Sequence, residues 1–258
     1  MPGLSTDLSI IIPVWNEASK IALDLEDAES FFQQYQINGE ILVVDDGSLD
    51  ATVEIVRETA RTIRYPVRII PLGSHKGKGS AVRNGVLKSG GQLVLFIDSG
   101  SCIPYRDIYR GIQLIRDNKC DVAHASRYLP ESRVIEPQNA FRRLISRIFR
   151  LLIQHYLHVP KILTDTQCGL KIYQGDLARI LFNQSVIRGF LFDVEVLLLA
   201  CHRGARICEF PVRWHCDCDT RLSLIRAMPQ IIKEFTVIKK WQFHTSKSPN
   251  SETSVRPP

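Results

Sequence analysis

The sequence predicts an α/β protein built on an open, mostly parallel sheet with helices on both faces. Short runs of β-branched and other apolar residues recur through the first half of the chain, stretches of helical periodicity separate them, and carboxylates close two of the runs. Ligands of such sheets bind beyond the carboxyl ends of the strands, where Trp15, Asp45, Asp46 and Asp98 all fall.

Leu8 to Val14 (LSIIIPV) suits a strand buried on both faces, and Ile21, Leu25, Ala28, Phe31 and Phe32 then recur at helical spacing. Glu40 to Val44 is a second buried strand, closed by Asp45, Asp46, Gly47 and Ser48. Asp50 is placed to cap a helix that carries Val53, Val56 and Ala60. The cycle repeats with a strand at Val67 to Ile70, a helix at Gly79 to Leu87, a strand at Leu93 to Asp98, a helix at Pro104 to Asp117 and a short strand from Asp121.

The second half is less regular. Phe141 to Leu157 (FRRLISRIFRLLIQHYL) reads as an amphipathic helix carrying Arg142, Arg143, Arg147 and Arg150, which suits a membrane interface. Asp193 to Cys201 is a helix, ARICEFPVRW a strand ending at Pro211, and Leu224 to Trp241 a last amphipathic helix. From His244 the polar tail is expected to be disordered, so the domain spans about 7–241 with a tail at 244–258.

The chain has 258 residues, a formal net charge of +6 and a pI near 9.0, which points to an anionic partner. Nucleic acid is disfavoured, because the basic clusters flank the strand-end crevice and one amphipathic helix instead of interleaving with exposed aromatics. The seven cysteines are scattered and include no Cys-x-x-Cys pair, as expected of reduced thiols in a cytosolic protein. His215, Cys216, Asp217, Cys218 and Asp219 read as a plain loop, since no second ligand cluster lies near to close a metal site. No run reaches the roughly 18 to 20 apolar residues of a membrane span, and MPGLSTDLSIIIP lacks the pattern of a secretory signal. The expected location is the cytosol, peripheral at a membrane face.

Gly73 to Ser80 (GSHKGKGS) is not a P-loop: three residues instead of four separate Gly73 from Gly77, and glycine instead of Ser or Thr follows Lys78. Two lysines ahead of a helix that carries Arg83 still suit a phosphate-bearing ligand. Asp45 and Asp46 cannot face the same way in extended chain, so one turns to the crevice and the other caps the turn. Asp98 stands where many enzymes of nucleoside diphosphates place an Asp-x-Asp metal motif, but its second position is Gly100.

IIPVWNE, EILVVDDGSLDAT, HKGKGSAVRNG, the Asp98 strand end, ASRY, FRRLISR, DTQCGLKIY, GFLFDVEVL and EFPVRW occur in the order found in family 2 glycosyltransferases. The chain resembles their dolichyl-phosphate and polyprenyl-phosphate glucosyl- and mannosyltransferase branch, over about residues 7–240. The resemblance implies a GT-A fold and inverting transfer of a hexose from a UDP- or GDP-sugar to a polyprenyl phosphate. It implies that Pro13, Trp15, Glu17, Val44 and Asp46 cradle the nucleoside, with Lys78, Asp98 and Ser99 beside the diphosphate. Asp98 matches the first carboxylate of the metal motif, which implies Mg²⁺ or Mn²⁺. Arg127 and Arg142 match arginines that meet donor or acceptor phosphates, and Arg221 matches a basic residue of a late loop. Gly100 and Cys102 replace expected metal ligands, and Ser99, Gly100 and Ser101 are expected to form a flexible shelf with room for water. A packing or hydrogen-bonding role is expected of Asp193 and Glu195. The competing readings are a hydroxyl acceptor, and a nucleotide-sugar-binding paralogue without activity.

Overall fold

A computed structural model describes residues 6–100, 102–135, 140–160, 162–215 and 224–245, without the side chains of 140–146, 224–227 and 243–245. Its centre is a seven-stranded sheet in the order β3-β2-β1-β4-β7-β5-β8. The strands are β1 (Leu8–Val14), β2 (Gly39–Asp45), β3 (Val67–Pro71), β4 (Leu93–Ile97), β5 (Val122–Ser126), β7 (Leu170–Gln174) and β8 (Ile207–Pro211). Short strands β6 (Arg133–Val134) and β9 (Arg213–Trp214) pair in parallel beside it. β7 runs antiparallel to both of its neighbours, and the other pairs are parallel.

Every residue of β2, β4 and β5 is buried, as continuous apolar runs between two helical layers require. One layer contains α1 (Ile21–Tyr35), α2 (Thr52–Thr59) and α4 (Tyr105–Arg116), whose Ile21, Val56 and Ile112 share a core with Ile10 and Phe210. The other contains α3 (Lys78–Lys88), α5 (Ala140–Tyr156), α6 (Gly175–Gln184), α7 (Phe192–His202) and α8 (Leu224–Thr245), packed on Ile11, Phe96 and Tyr173. α8 includes His244 and Thr245, so the expected tail begins two residues late, and its remainder lies outside the described residues.

The strand order runs from β1 to β2 and β3 on one side and to β4 on the other. Such a reversal opens a crevice between the loops that leave neighbouring strands. Trp15 follows β1, Asp46 follows β2 and Asp98 follows β4, so the fold gathers the predicted residues at that point.

β7 and α6 are absent from the sequence reading. The run LKIY carries Lys171 in its middle, and a lysine with no exposed surface is not what local periodicity leads one to expect.

Candidate active site

The half of the crevice beside β1 and β2 is built by loops that bind one another. Beyond β1 the chain turns at Asn16 with φ of 57°, and its N–H donates to Ser48 Oγ at 2.8 Å while Leu49 N–H donates to Asn16 Oδ1 at 2.7 Å. Glu17 N–H donates to Thr52 Oγ1 at 2.8 Å. Asp50, expected as the N-cap of α2, stands one residue before the actual N-cap Ala51, and its Oδ1 accepts the Thr52 N–H at 3.0 Å.

Asp45 and Asp46 divide their work. Asp45 Oδ1 accepts the N–H of Ser48 at 3.0 Å and closes its own turn. Asp46 accepts the N–H groups of Lys76 and Gly77 at 2.7 and 2.9 Å, and its Oδ2 lies 2.9 Å from His75 Nδ1. Asp46 therefore holds the glycine-rich loop with both carboxylate oxygens. The loop in turn lays His75 on Trp15, ring centroids 4.4 Å apart and planes inclined by 27°. Trp15 is 37% exposed, enough to offer a ligand an aromatic surface.

Gly77 has φ of 97°, and a Cβ there would press on the Arg188 carbonyl oxygen at 2.7 Å. A Cβ at Gly79 would meet the Ile187 carbonyl oxygen equally closely. These glycines thus let the start of α3 lie against residues 187–189. Glu195 fixes that segment by accepting the N–H groups of Val186 and Ile187 and the Ser185 hydroxyl, a hydrogen-bonding role as expected.

At the half beside β4, Lys78 Nζ lies 2.5 Å from Asp98 Oδ1, the two side chains 36% and 41% exposed. Burial works against the Lys78 charge, but Asp98 and then Asp193 more than offset it and raise its pKa above the ordinary lysine value. Behind this pair, fully buried Lys171 meets Asp193 at 2.9 Å. Burial pushes the Asp193 carboxyl up, against the pull of Lys171 and Lys78.

The expected flexible shelf beside Asp98 is tied down instead. Asp24 of α1 accepts the Gly100 N–H at 2.9 and 3.0 Å and the Ser99 hydroxyl at 2.5 Å. Ser101 lies outside the described residues.

Arg127 is engaged more fully than its motif suggests. Its Nε and Nη2 donate to the two oxygens of Asp165 at 2.7 and 2.9 Å, and its guanidinium stacks over Trp214 at 5.2 Å. Burial would raise the Asp165 carboxyl, but Arg127 holds it at about 2. Glu209 in turn accepts the N–H groups of Thr164 and Asp165 at 2.7 and 3.1 Å, fixing the backbone that presents the pair. Arg127 Nη1 is the edge of the fork that Asp165 does not take.

Val44 stands one residue before Asp45 at the end of β2. Its side chain has no exposure and packs in the core with Ile11 and Ile70, because alternation along β2 turns it toward α3 and away from the crevice. Pro13 and Glu17 are half-buried at the end of β1. The side chains of Arg142 and Arg143, and Arg221 entirely, lie outside the described residues. His75, Asp24, Lys171 and Asp165 were missed. DTQCGLKIY contains Asp165 and Lys171 and HKGKGSAVRNG begins at His75, whereas no quoted motif contains Asp24.

The donors near Asp98 do not fit a divalent cation. Asp98 is the one carboxylate that the end of β4 itself supplies, its Oδ1 is already held by an ammonium, Gly100 offers no side-chain oxygen, the nearby Asp24 carboxylate is taken up by Ser99 and Gly100, and Cys102 offers a thiol. No group of three His, Cys, Asp or Glu side chains arranged for a metal occurs among the described residues.

A family model described as Glycosyl transferase family 2 matches residues 9–172. The dolichyl-phosphate beta-glucosyltransferase of Saccharomyces cerevisiae is 30% identical over 248 residues, covering 90% of this chain and 74% of its own. The Homo sapiens protein of that name is 29% identical, covering 80% and 67%. Among solved structures, glucosyl-3-phosphoglycerate synthase from Mycobacterium tuberculosis, in complex with Mn²⁺, UDP and glucosyl-3-phosphoglycerate, superposes with a TM-score of 0.66 at 16% identity, over 91% of this chain and 80% of that one. S. aureus TarS residues 1–349 superpose with a TM-score of 0.58 at 20% identity, covering 90% and 65%.

Proposed function

The chain belongs to glycosyl transferase family 2 and has its GT-A fold, and from that premise we propose that it transfers glucose from UDP-glucose to a dolichyl or related polyprenyl phosphate with inversion at the sugar. The observation that carries this reading is the crevice at the strand reversal, where the Trp15 and His75 rings stand on one side and the Lys78 and Asp98 pair on the other. Aromatic faces take a base, and cations take a diphosphate. Glucose is chosen over mannose, and a β product over an α one, because the curated relatives carry those words in their names. A β-linked product from an α-linked sugar nucleotide requires inversion.

The chemistry asks little of the protein in proton transfer. An oxygen of the acceptor phosphate attacks the anomeric carbon, and the bond from that carbon to the UDP oxygen breaks, with its electron pair leaving on UDP. The nucleophile is already anionic, so no general base is needed. The cost is repulsion between two phosphate-bearing groups: like charges about 4 Å apart repel by about 4 kcal/mol at an effective dielectric of 20. Lys78 is a cation of this crevice, and Arg127, Arg142, Arg143 and Arg221 are further candidates from the sequence. Asp193 is engaged with Lys171 and has a positioning role, not that of a base. A protein of similar fold is described in complex with Mn²⁺, but the donor set here does not fit a metal, and no step is assigned to one.

The acceptor lies in a membrane, so the enzyme docks on its cytosolic face. No helix among the described residues is long and apolar enough to cross a bilayer. α5 instead exposes Ile148, Leu151, Leu152 and Tyr156 at helical spacing beside basic Arg147, and Met228 and Ile232 are exposed on α8, which touches α5 through Phe235 and Tyr156. Such a face suits the headgroup layer.

The test is a transfer assay with UDP-glucose and GDP-mannose against a short polyprenyl phosphate, followed by extraction of the lipid product and digestion with a β-glucosidase. Glucose appears in the organic phase from UDP-glucose and is released by the β-specific enzyme. Nucleotide binding without sugar transfer to lipid would sink the proposal and favour a hydroxyl acceptor or a binding paralogue.

A further inference from the structure

We propose that this chain carries the counter-cation of its donor site as part of the protein: the Lys78 ammonium, anchored on Asp98, neutralises the departing diphosphate, and donor binding and transfer need no divalent metal. The inference rests on the donor reading above and deepens it.

Two observations converge on Lys78. Its Nζ sits 2.5 Å from the carboxylate that would be a cation's first ligand, so an ammonium occupies the coordination position that a metal would need. Lys78 also opens α3, and the N–H groups of Lys78 and Gly79 have no acceptor among the described residues. A diphosphate oxygen at that point would meet free amide donors and an ammonium together, which is a complete anion site without a metal.

The other half of the metal site is unavailable. Gly100 contributes no side chain, and its N–H is committed to Asp24, so the loop cannot turn a replacement oxygen toward Asp98 without breaking those bonds. Asp193 is buried and paired with Lys171 at 2.9 Å. A cation entering here would have to displace Lys78 and would gain one carboxylate oxygen plus water, a weak set for a hard ion. The Lys78 side chain remains 36% exposed, accessible to the ligand it would bind.

The experiment measures UDP and uridine affinity by calorimetry, with Mn²⁺ and with EDTA, for the natural chain and for Lys78→Met, Lys78→Arg and Gly100→Asp, and counts bound Mn²⁺ by its paramagnetic resonance. The natural chain binds UDP equally within about twofold in Mn²⁺ and EDTA, and glucose transfer persists in EDTA. Lys78→Met loses about tenfold or more in UDP affinity, the worth of one charge-assisted contact, while uridine binding is unchanged and shows the fold intact. Lys78→Arg recovers most of the loss. Gly100→Asp in the Lys78→Met background gains Mn²⁺ binding that the natural chain lacks. UDP affinity that rises tenfold with Mn²⁺ in the natural chain, or Lys78→Met binding UDP as well as the natural chain does, overturns the inference and leaves the donor reading standing. Failure of UDP to bind under both conditions overturns both.

Discussion

The Trp15 indole lies on the His75 imidazole at 4.4 Å, although sixty residues separate them, because Asp46 holds the His75 loop by two backbone N–H groups and by His75 itself. A stacking surface for a base is thus assembled from three loops. Replacing Trp15 with alanine should raise the dissociation constant for UDP about tenfold, near the lower part of the range for losing one base-aromatic stack. Trp15→Tyr should keep most of the affinity. Calorimetric titration with UDP checks both, and an unchanged constant for the alanine variant would remove Trp15 from the donor site.

The strands of the nucleotide half were legible because each is a continuous apolar run ended by a turn residue, and the helices between them follow the helical period. Asp98 and Trp15 were legible as crevice residues for the same reason, since both stand just beyond such a run. Pairings across the chain were not. Lys78 meets Asp98, Arg127 meets Asp165 and Lys171 meets Asp193, each partner twenty or more positions away, and no local pattern encodes them. Nor does position in a motif say which sheet face a side chain takes, and the Val44 side chain turns into the core.

Arg127 and Asp165 form a buried pair whose loss should show in stability. Asp165→Asn leaves the guanidinium without its counter-charge and should cost about 3 to 5 kcal/mol. The double variant Arg127→Met with Asp165→Leu should recover much of that, since an apolar pair needs no counter-charge. Urea denaturation of the three proteins tests it. The Asp165 carboxyl sits at about 2 in the folded chain, below its ordinary 3.8, so its contribution is present above about pH 4 and is lost as pH falls toward 2.

His124 sets a second dependence at milder pH. Burial first, then Lys171 and Arg127, hold its pKa well below the ordinary 6.5, while Asp165 pulls the other way. The folded state thus keeps the imidazole neutral where the unfolded chain takes up a proton. Stability is therefore full above about pH 6.5 and declines as pH drops below it, by roughly tenfold in the folding constant per pH unit. Urea midpoints from pH 7.5 to 5 should show this slope, and His124→Gln, which lacks the titrating ring, should lose it. An equal slope in both proteins would assign the effect elsewhere.

Gly169 offers a way to move Asp98 without changing its chemistry. The glycine carbonyl accepts the Asp98 N–H at 3.2 Å, and a Cβ on Gly169 would collide with the Asp98 carboxylate. This closeness follows from β7 running antiparallel beside β4, which brings its first residues against the end of β4. In Gly169→Ala the carboxylate must swing away, taking Lys78 out of position or breaking the ion pair. The obstacle is the far end of a partly exposed side chain, so the urea midpoint should fall by no more than about 1 kcal/mol of stability. A displacement of about an ångström at the reacting diphosphate should instead lower kcat by about a hundredfold. Transfer assays and denaturation on the same preparation separate the two effects. Full turnover in Gly169→Ala would mean that the position of Asp98 is immaterial, and with it the anchoring of Lys78.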